Sequence, residues 1–170
     1  PMILIGGGGW REVGKSVLQK FAELHSFPVS AIFRYHDLID NNSPVYVGDA
    51  GVGMAVHLAE MIKNSDVILA INARLGEAAT QSWSLLEAPY PRQKLIHVHA
   101  SDQEIGKIYQ PHLSFHANPN QFAQFLESLE ISGKNLPQRK SWMAKGHSDY
   151  LSSLIAPSQN SPVDMAAVMK

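Results

Sequence analysis

The sequence predicts an α/β fold in which helices flank a parallel β-sheet. Short apolar runs alternate with longer segments of helical periodicity, as in successive β-loop-α units. Two of these runs end in glycine-rich turns, the first glycine turn at residues 6–9 and the second glycine turn at residues 48–53. The chain has 170 residues, of which 45% are hydrophobic, and this is enough for one packed domain.

Composition excludes several classes of protein. Lys and Arg number 14 against 15 Asp and Glu, so we expect no nucleic-acid partner and no membrane partner. No apolar run approaches the roughly 20 residues that a membrane-spanning helix needs. The lack of cysteine excludes disulfides and Cys-ligated metals and favours a cytoplasmic location. Because Pro1 directly precedes a β-type run, we expect a piece of a longer polypeptide.

The first half of the chain contains three predicted strands and two predicted helices. The strands are expected at residues 2–5, 27–33 and 45–47. An apolar helical stripe follows the first glycine turn and consists of Val13, Val17, Leu18, Phe21 and Leu24. A shorter stripe follows the second glycine turn and consists of Val56, Ala59 and Ile62.

The second half continues the same pattern up to about residue 130. Strands are expected at residues 67–71, 95–99 and 113–116, whereas residues 72–93 show no clean period. Asn118 and Pro119 predict the cap and first turn of a helix through residue 129. Residues 131–162, rich in polar residues and proline, predict an interdomain linker. One amphipathic helix that packs back on the domain is suggested there by Trp142, Met143, Tyr150, Leu151 and Leu154.

The first glycine turn is a candidate phosphate site. In doubly wound folds, backbone amides and a helix N-terminus approach a phosphate at this position. Arg11 stands at the last glycine position of the dinucleotide pattern, and the second strand ends in Phe33 and Arg34 instead of an acid. A standard NAD site is therefore not expected, and a tight turn without ligand remains the alternative.

The second glycine turn contains Asp49, which could be a helix cap, a ribose ligand or a metal ligand. A helix entry held by Asp49 and Gly51 is slightly favoured. The Gly-Asp-Gly motif that holds Mg²⁺ on a cofactor diphosphate is not matched. Ala50 replaces its second glycine, and no Asn-Asn pair follows.

Arg74 follows the strand at residues 67–71, at the carboxyl edge of the sheet where ligands of open α/β sheets bind. Its guanidinium can bind a phosphate or stack on an adenine, and a surface salt bridge is the alternative. His97 and His99 point to the same side of a strand, but no third ligand is linked to them by spacing. We therefore predict no metal site. No Ser lies in G-x-S-x-G, and no catalytic residue is predicted.

Four blocks of sequence carry a resemblance to a known family. They are GDAGVG at residues 48–53, SDVILAINARLG at 65–76, LIHVH at 95–99 and EIGK at 104–107. In order and spacing they are similar to the central domain of thiamine diphosphate (TPP)-dependent enzymes of the acetolactate synthase type. The resemblance covers residues 1–130, and residues 163–170 resemble the start of the next domain, which is otherwise missing.

The resemblance implies a six-stranded parallel sheet flanked by helices, a three-layer Rossmann-like fold related to the nucleotide-binding domains of sirtuins and deoxyhypusine synthase. In this family the domain holds FAD, ADP or no nucleotide. The contacts that carry over by position are Gly7, Gly8, Gly9, Gly51, Gly53 and Arg74. Two family aspartates are replaced by His99 and Ser101, which can still hydrogen-bond a ribose hydroxyl. Asn72 stands where the family usually has glycine.

The function implied by the resemblance is that of a non-catalytic central domain in a TPP-dependent 2-keto acid carboligase or decarboxylase, a transferase or lyase. Such a domain bridges two cofactor domains, which bind TPP and Mg²⁺, and the parent is expected to be a homo-oligomer. FAD or ADP is the expected ligand of this domain, which alone is expected to be inactive. The alternatives are a stand-alone NAD- or FAD-binding domain of sirtuin-like fold and a structural domain without ligand.

Overall fold

A six-stranded parallel sheet forms the centre of the computed structural model, which describes residues 1–155. The strands are β1 (Met2–Ile5), β2 (Val29–Ile32), β3 (Tyr46–Ala50), β4 (Val67–Ile71), β5 (Lys94–His99) and β6 (Leu113–His116). Their spatial order is β3-β2-β1-β4-β5-β6, with every neighbouring pair parallel. The predicted six-stranded parallel α/β fold is confirmed. The strand order reverses between β1 and β4, which is the switch point of the sheet.

Helices cover both faces of the sheet. They are α1 (Glu12–His25), α2 (Val56–Asn64), α3 (Pro119–Glu127) and α4 (Leu136–Ser153). Side chains alternate between the faces of β1, so Ile3 and Ile5 pack in the cluster that contains α1 and α3. Met2 and Leu4 pack in the opposite cluster, which contains α2. None of the helices within residues 1–155 is long and apolar enough to cross a membrane.

The predicted limits of the first helix and the second strand differ from the structure. The backbone N–H of Phe27 donates to the carbonyl of Ala22 (2.9 Å), so the expected start of the strand instead closes the end of α1. Val13 and Leu24 were expected on the apolar stripe, but both are exposed. The buried face of α1 consists of Gly14, Leu18, Phe21 and Ala22.

The strand and the helix on either side of the second glycine turn also differ from their predicted limits and faces. β3 extends beyond the predicted residues 45–47, because Ala50 still pairs with Ile32 of β2. Val56, expected on the stripe of α2, is exposed. The buried residues of α2 are Leu58, Ala59, Met61 and Ile62. Residues 72–93 have no α-helix or strand after β4, apart from one short 3-10 turn at Ala78–Thr80.

Helix α4 lies within the predicted linker and packs on the domain. Gly146 is buried against Met61 of α2 and Val47 of β3, where a side chain on residue 146 would collide. The Tyr150 ring packs edge-on against Tyr46, with centroids 4.9 Å apart. Leu151 and Leu154 were expected on the face that packs back, but both side chains are exposed. The boundaries of domain and linker stay predictions, and residues 163–170 lie outside the described residues.

Arg139 joins α4 to the end of α1. Its Nε donates to the carbonyl of His25 (2.9 Å), and its Nη2 donates to the carbonyl of Ser132 (3.3 Å). The guanidinium also lies over the ring of Phe27, 5.2 Å from the centroid. A cation at the C-terminus of α1 is favourable because the carbonyls there carry partial negative charge.

Candidate functional site

The first glycine turn leaves β1 at the carboxyl edge of the sheet and enters α1. Three side chains bind its carbonyl oxygens at 2.8 Å: Trp10 Nε1 donates to Gly6, Asn72 Nδ2 to Gly8, and Asn120 Nδ2 to Gly9. Gly7 has φ +66° and Gly9 has φ +83°, a region that favours glycine. The backbone of this turn is therefore held in one conformation from three directions.

The backbone amides of the first glycine turn, unlike its carbonyl oxygens, are free to bind a ligand. Among residues 1–155, no protein group accepts a hydrogen bond from the backbone N–H of Gly7, Gly8 or Gly9. α1 follows directly, and no side chain caps its N-terminus at Arg11. Free amides beside a helix N-terminus can bind an anion.

Asn72 connects the first glycine turn to the end of β5. It follows β4 with φ +53° and is only 4% exposed. Besides its bond to Gly8, its Oδ1 accepts from the backbone N–H of Ala100 (3.3 Å), while its own N–H donates to Val98 (2.7 Å). Asn adopts positive φ more readily than other residues with a side chain. Its amide thus spans the switch point of the sheet.

The second glycine turn lies at the end of β3, two strands away from the first, or roughly 10 Å at ordinary strand spacing. Gly53 has φ +82°. A Cβ on Gly51 would lie 2.7 Å from Oδ2 of Asp49 and 3.0 Å from Phe33. A cavity of about 520 Å³ separates this turn from residues 77–82. The two glycine turns therefore do not share one set of contacts.

Asp49 has a different role from the one favoured by its position in the sequence. The N-cap of α2 is Ala55, without a side-chain cap bond, so the helix-cap interpretation of Asp49 is wrong. Its carboxylate lies 3.3 Å from Nδ1 of His36. Burial raises the pKa of Asp49 above its usual range, and His36 opposes part of that rise. Within the described chain, no three His, Asp or Glu side chains are grouped as a metal site requires.

Arg74 extends from the end of β4 and is largely exposed, with 72% of its side chain accessible. Its Nε lies 3.8 Å from Glu104, whose carboxylate is also 3.2 Å from Nζ of Lys107. These charges border a cavity of about 200 Å³ that is also lined by His97 and Tyr109. An exposed contact at 3.8 Å contributes little to stability, so Arg74 is available to a ligand.

His97 and His99 are buried side by side, with ring centroids 6.0 Å apart. His97 Nε2 donates to the carbonyl of Ala73 (3.1 Å), and the N–H of Ser101 donates to Nδ1 of His99 (2.9 Å). Burial lowers the pKa of both imidazoles, so each is neutral near pH 7. Nδ1 of His99 also lies 3.2 Å from the carbonyl of Ser101, so the ring can act as donor or acceptor toward a ligand, next to the half-buried Ser101.

Fold and site together define a parallel α/β domain with a polar carboxyl edge and, at its switch point, a glycine turn whose amides face no protein acceptor within the described residues. Residues 1–129 match the family described as thiamine pyrophosphate enzyme, central domain. The chain belongs to this family. The resemblance to TPP-dependent enzymes of the acetolactate synthase type is confirmed.

The relatives that the chain matches include acetolactate synthases. Acetolactate synthase 2, chloroplastic, of Nicotiana tabacum is 28% identical over 129 residues, or 76% of this chain and 19% of that protein. The acetolactate synthase large subunit of Parasynechococcus marenigrum (strain WH8102) is 25% identical over 107 residues, or 63% of this chain and 17% of that protein. With 19% of the tobacco protein matched, the chain spans about a fifth of the length of such relatives.

Several residues at this edge carry no local sequence signal. Asn120 binds the first glycine turn from 111 positions away, and Tyr109 enters the cavity beside Arg74 from a loop. Neither stands in a recognised motif. Asn72 did carry a signal, since an asparagine directly after a buried strand suits a backbone at positive φ.

Proposed function

We propose that this chain is the non-catalytic central domain of a TPP-dependent 2-keto acid carboligase or decarboxylase, and that it bridges the two cofactor domains. Membership of the central-domain family supports this proposal. So does the length of the named relatives, of which the tobacco enzyme is matched over only 19%. TPP and Mg²⁺ would be held by the remaining domains. The chemistry of a transferase or lyase would then take place outside this chain.

The parent protein is proposed to be a homo-oligomer in the cytoplasm. The lack of cysteine supports a reducing compartment, whereas the plant relatives are named as chloroplastic. Sedimentation of the full-length protein tests the first part. A monomer at micromolar concentration would refute it.

The domain is further proposed to bind an adenine nucleotide at its carboxyl edge. The observation that carries this is the first glycine turn, whose carbonyls are bound by side chains while its amides face no protein acceptor. Those amides suit a diphosphate, Arg74 suits a phosphate or an adenine, and His99 with Ser101 suits a ribose. The second glycine turn, with Gly51 and Gly53, would border the far end of the ligand.

A structural domain without ligand is the second candidate, and one observation favours it. The Asn72 amide packs against Gly7 and joins both sides of the switch point, so protein groups already fill part of the space between them. No comparable observation favours a stand-alone NAD-binding domain, because Phe33 and Arg34 follow β2 where an acid would bind the ribose.

Thermal-shift titrations with FAD, ADP, NAD and TPP test the nucleotide proposal. A ligand that binds only the folded state raises the melting temperature. At a free ligand concentration of 100 times Kd, it adds about 2.7 kcal/mol to the free energy of unfolding. We expect a shift with FAD or ADP that Arg74→Ala abolishes. Arg92→Ala is the matched control, because Arg92 lies just before β5, at the amino ends of the strands and away from Arg74. It should leave the ligand-induced shift unchanged.

Two results would contradict these proposals. If none of FAD, ADP and NAD shifts the melting temperature, the nucleotide-binding proposal is refuted and the bridging role is unaffected. A shift with TPP alone would contradict the assignment of that cofactor to other domains.

A further inference from the structure

We propose that two copies of this chain associate through β6, with the two β6 strands paired antiparallel so that both sheets join into one. β6 is an edge strand, and among residues 1–155 no strand pairs with its outer side. All four of its residues are exposed. The pairing would supply an interface for the proposed homo-oligomer, and to that extent it rests on the proposed function.

The outward backbone groups of β6 determine the register of this pairing. The N–H of Ala117 donates to the carbonyl of His99 (3.1 Å), so alternation directs the backbone groups of Phe115 toward β5 as well. Ser114 and His116 then direct their N–H and C=O groups away from the sheet. In an antiparallel pair, Ser114 of each copy lies opposite His116 of the other. Four backbone hydrogen bonds thus form around a two-fold axis at Phe115.

An apolar patch lies beside β6 on the face of the sheet that carries α3. The ring of Phe115 packs on Phe122 with centroids 5.4 Å apart, and Phe122 packs on Phe125 at 5.7 Å. The β6 patch consists of the exposed apolar side chains on this face, Leu113, Phe115, Phe125 and Leu129. The two-fold axis places Phe115 opposite Phe115 of the other copy, in a non-hydrogen-bonded pair where side chains are closest.

The area of the β6 patch agrees with what a stable dimer needs. Its four side chains are 56%, 37%, 47% and 36% exposed in chain order. At roughly 200 Å² per large side chain, this is about 350 Å² per copy, or about 700 Å² for two. A stable interface buries about 1,200 Å² or more, of which roughly 65% is apolar in homodimers. The patch therefore supplies nearly all the apolar area of a small dimer interface.

The distribution of charge favours a second copy as the partner. Residues 108–126 contain no Asp, Glu, Lys or Arg, although 17% of the chain is charged. Edge strands that stay unpaired commonly carry charges, and a charge near a two-fold axis would meet its own copy. Glu127 and Glu130 follow this stretch. Because the two copies of α3 run antiparallel, these acids lie toward the partially positive N-terminal end of the other helix.

Sedimentation velocity of the 170-residue chain at concentrations from about 1 to 100 µM tests the pairing, because mass action populates a dimer as concentration rises. We expect the mass of one chain at the lowest concentration and of two chains at the highest. Larger species are not expected, because a two-fold contact closes on itself.

Ser114→Pro tests the backbone pairing. It removes an N–H that the second copy needs, whereas the backbone groups directed toward β5 are unchanged, and proline is tolerated on the outer side of an edge strand. We expect the dissociation constant of the dimer to rise roughly tenfold or more, from one lost hydrogen bond per copy. The melting temperature, measured where the parent is monomeric, should stay close to that of the parent.

Phe115→Lys and Phe115→Glu test the register. Each variant alone places like charges opposite each other and should stay monomeric, whereas an equal mixture places Lys opposite Glu. We expect the mixture to associate roughly tenfold more tightly than either variant alone. Val56→Lys is the matched control, because Val56 is an equally apolar, exposed residue on α2, and it should leave the dimer intact.

Three results would overturn the proposal. A chain that is monomeric at every concentration would leave the β6 patch to another domain of the parent. A dimer that persists in Phe115→Lys would use a different surface, and a mixture no more associated than its components would contradict the register. The proposed homo-oligomer is judged separately by sedimentation of the full-length protein. An oligomeric full-length protein with a monomeric 170-residue chain would refute only the pairing of β6.

Discussion

The two glycine-rich turns are alike in sequence but are held by different kinds of contact. The first glycine turn is bound by Asn72 after β4 and Asn120 on α3, so distant parts of the chain determine its shape. The second glycine turn relies on neighbours, with Gly51 packed against Asp49 and Phe33. Substitutions in the first turn that displace these contacts, as at Gly7, should therefore disturb the whole domain, and those in the second turn should act locally.

The largest effect is expected for Gly7→Ala. Gly7 has φ +66°, and a Cβ there would collide with the side chain and the carbonyl oxygen of Asn72. We expect a loss of about 3 kcal/mol in the free energy of unfolding, combining left-handed strain with a clash against backbone. Gly8→Ala is the control, because no atom lies within 4 Å of its Cβ position. Urea denaturation of both variants measures the difference, and a loss equal in both would contradict the account.

Asn72→Ala should follow, with a loss of about 2 to 3 kcal/mol from two hydrogen bonds and an alanine at φ +53°. Asn72→Gly loses the same hydrogen bonds but tolerates the backbone angle, so it should be about 1 kcal/mol more stable than the alanine variant. Thermal unfolding of the pair separates the two contributions. An alanine variant as stable as the glycine variant would show that the backbone angle costs nothing.

Gly51→Ala in the second turn should cost about 1 kcal/mol, because the nearest atom to the new Cβ is the flexible carboxylate end of Asp49, and Phe33 at 3.0 Å must shift by only a few tenths of an ångström. Gly53→Ala should also lower the free energy of unfolding by about 1 kcal/mol, because an alanine at φ +82° is strained. Chemical denaturation again provides the measurement. If either variant were as harmful as Gly7→Ala, the contrast between the turns would be lost.

The smallest expected effect is a pH dependence of stability. It concerns the second glycine turn alone, because that turn contains the titratable Asp49. The raised pKa of Asp49 means that the folded state holds this proton more tightly than the unfolded chain. The free energy of unfolding should then fall as pH rises from the ordinary Asp value through the raised folded value. Asp49→Asn removes this titration and should become more stable relative to the parent across that window.

Unfolding of parent and Asp49→Asn at several pH values between about 3 and 7 checks this expectation. Asp37→Asn, an exposed carboxylate on the preceding loop, controls for the change in net charge. A stability difference between parent and Asp49→Asn that stays constant with pH would contradict the assigned shift.

The fold was predictable because its strands are short continuous apolar runs. Residues 2–5 and 67–71 were predicted with the limits observed, since buried parallel strands leave a clear signal. The limits of β6, residues 113–116, were also predicted, although this strand is exposed. Helix faces were less predictable, because Val13, Leu24 and Val56 are apolar yet exposed. An apolar residue on a periodic stripe does not reveal whether a partner element covers it.

The candidate site was predictable only in part. The glycine turns and Arg74 follow strands, so their place at the carboxyl edge could be inferred from order along the chain. Asn120 and Tyr109 reach that edge from loops and helices far away in sequence, and no local pattern indicates such contacts. The roles proposed for Gly7, Gly8, Gly9, Gly51, Gly53, Arg74, His99 and Ser101 stay predictions.

The helix that follows the family match also affects the edge of the sheet. β3 is an edge strand, yet His147 of α4 donates to the carbonyl of Tyr46 (2.7 Å) and His57 of α2 to that of Val47 (3.1 Å). These bonds occupy backbone groups that a strand from another molecule would need for pairing. At the opposite edge, β6 is exposed along its whole length. A fragment cut after residue 129 would lose the cover of α4, and we expect it to aggregate through β3.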